Sequence, residues 1–325
     1  MRRIFVAMGL AASDEAVQAQ ALTGGVSSGI YRVDLRRGSY CLKQALTRLK
    51  VAKEWLVPVE RVFHEVAWLQ TVGRIVPGHV PQVLGQDEAS KSFVMEFLGP
   101  EYRNWKAELL AGRIEPGMAP AVGDVLGRIH AATADDAALA VRFATDANFH
   151  AIRLEPYLVE TARVHPGLAD RLLATVERTA ATRRVLVHGD VSPKNILLGP
   201  KGPVLLDAEC AWFGDPAFDL AFCLNHFLLK TVHRPDDALA LMASYRAFFS
   251  AYAPHVRWEP VTALEARVAA LLPGLTLARV DGKSPVEYLS APQQAAVRRA
   301  AVALLLNPPA TLEEIAVRWT REFTA

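Results

Sequence analysis

The chain reads as an α+β protein of two lobes, a small β-rich lobe over residues 1–98 and a larger, mainly helical lobe over residues 99–325. Three observations lead there. A period-two hairpin, an amphipathic helix and a further strand fill the first part, long Ala- and Leu-rich segments dominate the second, and one β-rich insert interrupts those segments around residues 185–206.

The elements follow from local patterns. Ile30 to Leu35 alternates with period two, Arg36-Arg37-Gly38-Ser39 carries a turn, and Tyr40 to Gln44 returns as a second strand. From Pro58 to Val72 the apolar Val62, Val66 and Leu69 recur at three- and four-residue steps, which predicts a helix; Pro77, Gly78 and Pro81 close it. Ser92 to Leu98 reads as a strand ended by Gly99-Pro100. Ala119 to Thr133 and Leu168 to Ala181 read as amphipathic helices. Within the insert, Val185-Leu186-Val187 and Asn195 to Leu198 are followed by the Gly199-Pro200-Lys201-Gly202 turn and by Val204 to Leu206. No linker long enough to separate independent modules appears, so the lobes join near residues 97 to 101.

Composition narrows the function classes. With 36 Lys and Arg against 34 Asp and Glu the net charge is +2, without the cationic excess that a nucleic-acid binder uses to neutralise phosphates. Three widely spaced cysteines form no C-x-x-C pair, which argues against a disulfide framework or a zinc site and suits a reducing cytoplasm. No membrane span is expected: the longest apolar candidate, near Ala300 to Leu306, is preceded by Arg298 and Arg299. Met1-Arg2-Arg3 followed by Ile4 to Ala12 imitates an export leader, but the apolar part is short and holds Gly9, so an ordinary N-terminal helix is expected. The expected partner is a small molecule.

The strongest chemical signal is His188-Gly189-Asp190-Val191-Ser192-Pro193-Lys194-Asn195, with Asp207 twelve residues further on, behind a short hairpin. This is the H-x-D-x-x-x-x-N spacing of a kinase catalytic loop followed by a metal-binding Asp. Phosphoryl transfer needs an acceptor hydroxyl held in line and relieved of its proton, a task for Asp190. It also needs Mg2+ held by hard oxygen ligands such as Asn195 and Asp207. Either Asp190 or Asn195 alone would pass for a turn residue; the combination does not.

The first lobe offers the complement. Thr23-Gly24-Gly25-Val26-Ser27-Ser28-Gly29 precedes the first strand, and backbone N–H groups at Gly24, Gly25, Ser27 and Ser28 can approach phosphates. Lys43 follows on the second strand. Glu65 shares the apolar face of the helix, whereas Glu60, about 140° away around the axis, faces solvent. A carboxylate on a buried face wants a cation, and Lys43 is the natural partner. Glu96, Phe97 and Leu98 then form a hinge offering backbone groups to adenine. Asp215 fits a helix N-cap with Pro216 at the first helical position, Asp219 is expected to be buried, and Asn225 and His226 read as a satisfied polar pair inside a packed helix.

These residues resemble the aminoglycoside phosphotransferase and choline kinase family, which has a bilobal protein-kinase-like fold. The resemblance runs from the Gly-rich turn to the C-terminal helices and centres on His188-Gly189-Asp190, Asn195 and Asp207. Within that family, Lys43-Gln44-Ala45-Leu46, the stretch 51–61 with Glu54, Trp55, Glu60 and Arg61, and Asp207-Ala208-Glu209 are similar to the methylthioribose kinase branch. The resemblance implies ATP, Mg2+, a base at Asp190, metal contacts from Asp207 and Glu209, and loop support from Asp219. The chain departs from that branch in its shorter length, in the Val191 to Lys194 part of the loop, and in carrying only Arg279 where the branch has paired arginines for its substrate.

Residues 225–299, expected to build much of the acceptor side, carry nine Lys and Arg against six Asp and Glu. That balance favours a neutral or anionic hydroxyl compound such as a sugar over a polycationic aminoglycoside or an amino alcohol. Arg279, Asp281 and Lys283 surround Gly282 in a segment expected to reach the cleft as a loop. Two other classes fit the pattern less well. A protein kinase would need a long activation loop after its metal-binding Asp, and a pseudokinase-type module would more often have lost one of Lys43, Asp190, Asn195 or Asp207.

Overall fold

The computed structural model describes residues 1–22, 28–46 and 60–324. A helix, α1 (Arg2–Ala7), leads into strands β1 (Gln18–Ala21), β2 (Ser28–Leu35) and β3 (Gly38–Ala45). Helix α2 (Arg61–Ile75) and strands β4 (Val83–Asp87) and β5 (Ser92–Glu96) complete a five-stranded sheet of order β1-β2-β3-β5-β4. The edge strands β1 and β4 escape the sequence reading for a physical reason. Gln18-Ala19-Gln20-Ala21 is exposed throughout and has no apolar alternation, and β4 carries a register irregularity between Val83 and Gly85.

The two faces of the sheet are covered differently. Ile4 and Phe5 of α1 pack with Val33, Leu42 and Val94 on the outer face. Cys41 and the apolar face of α2, with Val62, Val66 and Leu69, join the main core on the other. Chain alternation in β3 therefore turns Leu42 outward, and Lys43 falls on the cleft side with Cys41.

Beyond Glu96 the chain is mostly helical. Helices Met118–Thr133, Pro216–His233, Ala238–Tyr252 and Val261–Asp281 form the centre of the larger lobe. Gly123 lets the first cross the third closely, since a Cβ there would lie 2.2 Å from the Phe248 carbonyl oxygen. The insert is built of Val185–Val187 paired with Trp212–Gly214, and of Ile196–Gly199 paired with Gly202–Leu205. Among the described residues one helix, Val261–Asp281, is long and apolar enough to cross a membrane, and most of it is buried inside the fold. That helix, rather than the segment near Ala300, is the longest apolar candidate. It also runs through Arg279 to Asp281, so the expected loop begins only at Gly282.

Candidate active site

Lys43 stands between Ile30 on β2 and Phe93 on β5 and is 2% exposed. Its Nζ donates to Glu65 Oε2 at 2.6 Å and to a carboxylate oxygen of Asp207. Glu65, buried on α2, meets it as the helix phase predicts, while Glu60 is exposed beside Lys91. Burial opposes the charge on Lys43, yet the Asp207 and Glu65 carboxylates outweigh it and raise the ammonium pKa above its ordinary value. Burial likewise works against the Asp207 charge, and Lys43 and Lys194 overcome it, holding that carboxyl below its usual range. Burial raises Glu65 further than Lys43 lowers it.

The catalytic-loop segment follows strand Val185–Val187. Gly189 adopts φ +79°, and a Cβ there would lie 2.6 Å from the Cys210 carbonyl oxygen, so only glycine fits. The buried Asp219 carboxylate accepts the backbone N–H groups of His188 and Gly189, each at 2.8 Å. His188 Nδ1 accepts the Asp190 N–H at 3.1 Å, which leaves Nε2 to donate to the Leu206 carbonyl at 3.0 Å. Burial lowers the His188 pKa, consistent with this neutral tautomer. The loop backbone is thus braced at three successive residues.

Asp190 is 2% exposed. Its Oδ2 lies 2.7 Å from Arg153 Nη2 and 3.1 Å from Lys194 Nζ, and its Oδ1 accepts from Ser192 Oγ at 3.2 Å. Burial pushes the carboxyl up, but Arg153 and then Lys194 bring its pKa below the ordinary value. Asn195 Nδ2 donates to the Asp190 carbonyl at 3.2 Å, leaving the oxygen of the same amide for a cation. Asp207 has φ +65°, unusual for a residue other than glycine and of the kind that collects at functional sites. Glu209 Oε2 accepts from the buried Arg61 Nε at 3.0 Å.

The donor set fits Mg2+. Asn195, Asp207 and Glu209 offer hard oxygens, and this ion is commonly held by one or two carboxylates together with phosphate oxygens and water rather than by a closed protein cage. No cluster of three or more His, Cys, Asp or Glu side chains forms such a cage among the described residues.

Other expected residues sort as follows. Gly24, Gly25 and Ser27 lie outside the described residues, as do Glu54 and Trp55; Ser28 opens β2 and is buried. Glu96 ends β5, where its carboxylate accepts the Gln82 N–H, and Phe97, just beyond the strand, lies under the Arg32 guanidinium. Asp215 caps its helix by accepting the Ala217 N–H. Asn225 and His226 are buried, but not fully satisfied: among the described residues Asn225 Oδ1 and His226 Nδ1 have no hydrogen-bond partner. Of the three residues around Gly282, Arg279 lines a small cavity beside Pro193 and Lys194. Asp281 is instead bound to Arg298 and His165, and Lys283 to Glu155, so those two are engaged elsewhere.

Arg153 is the residue that sequence reasoning missed. It lies in a π-helical segment, His150–Val159, that contains Pro156. Its only sequence signal is a charge set between the apolar Ile152 and Leu154.

Known proteins resemble this chain in sequence and in fold. A rice methylthioribose kinase (Oryza sativa subsp. japonica) is 23% identical over 252 residues, 68% of this chain and 58% of that protein, so the chain matches little more than half of its relative. The solved structure of amicoumacin kinase hAmiN in complex with AMP-PNP, Ca2+ and Ami is 16% identical, with TM-score 0.57 over 91% of this chain and 90% of that one. An aminoglycoside phosphotransferase from Alicyclobacillus acidocaldarius is 14% identical, with TM-score 0.52 over 95% and 93%. Both structures support the bilobal kinase-like fold. The sequence pattern of the phosphotransferase enzyme family matches residues 18–255, which include Lys43, Glu65, the whole Asp190 loop and Asp207. On that match, and on the fold that brings those residues into one cleft, the chain belongs to the phosphotransferase enzyme family.

Proposed function

We propose that the protein is an ATP-dependent small-molecule kinase that transfers the γ-phosphoryl group to a hydroxyl of a sugar-like acceptor. The observation that carries the reading is the meeting of Lys43, Glu65 and Asp207, from a strand, a helix and a hairpin, beside the Asp190 and Asn195 loop. The methylthioribose kinase relative supports a sugar as the acceptor class. Residues 1–98 serve as the nucleotide lobe and 99–325 as the lobe of the catalytic loop and acceptor. Gly24, Gly25, Ser27 and Ser28 cover the phosphates, Lys43 positioned by Glu65 binds them, and the backbone of Glu96 to Leu98 meets adenine.

In the reaction Asp190 orients the acceptor hydroxyl and takes its proton, the new bond forms from that oxygen to the γ-phosphorus, and the bond from the γ-phosphorus to the β,γ-bridging oxygen breaks to release ADP. Mg2+ held by Asn195, Asp207 and Glu209 supplies neutralisation of the phosphate charge. Arg153 keeps Asp190 anionic and fixed, which suits a loose transition state in which the proton leaves late. The presence together of Lys43, Asp190, Asn195 and Asp207 favours an enzyme over a nucleotide-binding module. Three buried free thiols favour a reducing, cytoplasmic setting, and the balanced charge favours a small-molecule partner over nucleic acid.

The test is ADP release with pentoses, amino alcohols and aminoglycosides as acceptors. Turnover of a pentose-like compound is expected. Preference for kanamycin-like compounds would overturn the sugar assignment, and no acceptor-dependent ADP release from any of them or from anionic pentose derivatives would overturn the kinase reading.

A further inference from the structure

Helix Pro216–His233 is buried along nearly its whole length, and in its last third it carries a lysine. Lys230 is 0% exposed and its Nζ has no hydrogen-bond partner among the described residues. The Tyr288 ring lies 5.2 Å away. One turn earlier, His226 Nδ1 is likewise unpartnered, and across from them so are Arg279 Nε and Tyr288 Oη. Four buried polar atoms, drawn from two helices and the segment after them, thus lack partners among the described residues in one neighbourhood, although the Arg279 guanidinium is held at its other end, where Nη1 donates to Tyr157 Oη and to Ser284. Random placement does not explain this, because native interiors leave few polar atoms unsatisfied.

The neighbourhood is cationic and opens on the active site. Lys106, Lys194, His226, Arg279 and Tyr288 line a cavity of about 20 Å³, and Lys230, outside the lining, sits over the Tyr288 ring. Lys194 Nζ is also 3.1 Å from Asp190 Oδ2, so the cavity adjoins the proposed base. The nearby carboxylate, Glu287, is bound to Lys106. Burial, with Lys106 and Arg279 adding repulsion, pushes Lys230 down to about 7. Burial and the same cations push His226 well below its usual value. The cation–π contact answers for one side of Lys230 and leaves His226 Nδ1, Arg279 Nε and Tyr288 Oη unexplained.

Resting on the kinase reading above, we propose that this cavity is an anion subsite for the acceptor, so that the hydroxyl compound phosphorylated here also carries a carboxylate or phosphate group. Anionic oxygens accept from Arg279, Tyr288 and His226 while Lys230, over the Tyr288 ring, adds positive charge, and the far end of the acceptor presents its hydroxyl at Asp190.

The experiment compares D-ribose, D-ribonate and D-ribose 5-phosphate as acceptors with ATP and Mg2+, on the wild type, Lys230→Met and Arg279→Gln. One anionic compound should exceed ribose in kcat/KM by roughly 10²-fold, as charge-assisted hydrogen bonds allow. Preference for ribonate identifies a carboxylate and preference for ribose 5-phosphate a phosphate ester. Both variants should raise the KM for the anion about tenfold or more and leave the KM for ATP unchanged. Lys230→Met should melt at or above the wild-type temperature, since it removes an unpaired buried charge. If it fails to fold, Arg279→Gln carries the comparison alone. In parallel, D-ribonate and inorganic phosphate are titrated calorimetrically onto the full chain without ATP. Saturable binding weakened in the variants supports the subsite even if no acceptor is turned over, in which case the kinase reading fails and the subsite stands. Absence of saturable binding, or turnover of ribose above both anions, overturns the subsite and leaves the kinase reading intact.

Discussion

Arg153 Nη2 lies 2.7 Å from Asp190 Oδ2, and both side chains are more than nine-tenths buried. The guanidinium also donates through Nε to the Gly189 carbonyl, so it holds the loop backbone and the carboxylate together. A carboxylate this deep stays ionised only because of such a partner.

The first prediction concerns the carboxylate itself. Asp190→Asn should keep ATP affinity near the wild-type value and lower kcat by roughly 10² to 10⁴. Loss of ATP affinity with turnover retained would remove Asp190 from the base role.

The second concerns its partner. Arg153→Lys should shift the acid limb of the kcat/KM profile upward, because the pKa of Asp190 is depressed chiefly by Arg153 against burial. The sign for stability follows from the same shift. A carboxylate with a lowered folded pKa contributes stability above its unfolded pKa and loses it as pH falls through the folded value. The wild type should therefore gain more from raising the pH out of the acid range than Arg153→Lys does. A pH–rate profile and melting curves between pH 3 and 7 would check both, the range set by the ordinary carboxylate pKa of about 4.

A third contrasts two glutamates on neighbouring turns. Lys43→Ala should lower kcat/KM for ATP by roughly 10²-fold, on the scale of removing one electrostatic contact to the reacting group. Glu65→Gln should do the same less severely, since Lys43 retains Asp207. Glu60→Gln, on an exposed side chain, should be near wild type. A larger effect at Glu60 than at Glu65 would break the assignment.

The fourth addresses the metal. Glu209→Gln should raise the Mg2+ concentration needed for half-maximal rate, and Asp207→Asn should nearly abolish turnover at any Mg2+ concentration. Titrating Mg2+ at fixed ATP distinguishes them, and an unchanged Mg2+ dependence in Glu209→Gln would take that residue out of the metal site.

The fifth tests the loop backbone. Gly189→Ala combines a left-handed φ with a Cβ only 2.6 Å from the Cys210 carbonyl oxygen. It should cost about 1–3 kcal/mol and lower Tm by several degrees. A melting temperature equal to the wild type would show that the loop relaxes freely.

What the sequence determined about this protein is whatever a short window can carry. The period of two in β3 places Lys43, the helical phase of α2 separates Glu65 from Glu60, and the eight-residue spacing of His188 to Asn195 sets the loop, because each depends on backbone geometry over a few residues. Asp219 was legible for the same reason, as an acid among Phe218, Leu220 and Ala221 that must find donors once buried.

Tertiary structure decided the partners between distant elements. That Arg153 meets Asp190, and that Arg61 meets Glu209, depends on where a π-helical segment and α2 come to rest against the insert. Asn225 and His226 look like a satisfied pair until the packing of the helix shows which of their atoms find donors or acceptors. Arg279 and Asp281 make the point most directly. They are two residues apart and were expected to act together from a loop, but the helix continues through both, and side chains two residues apart on a helix point about 160° away from each other. Arg279 therefore reaches the cavity beside Lys194 while Asp281 pairs with Arg298 and His165, and neighbours in sequence become members of different sites.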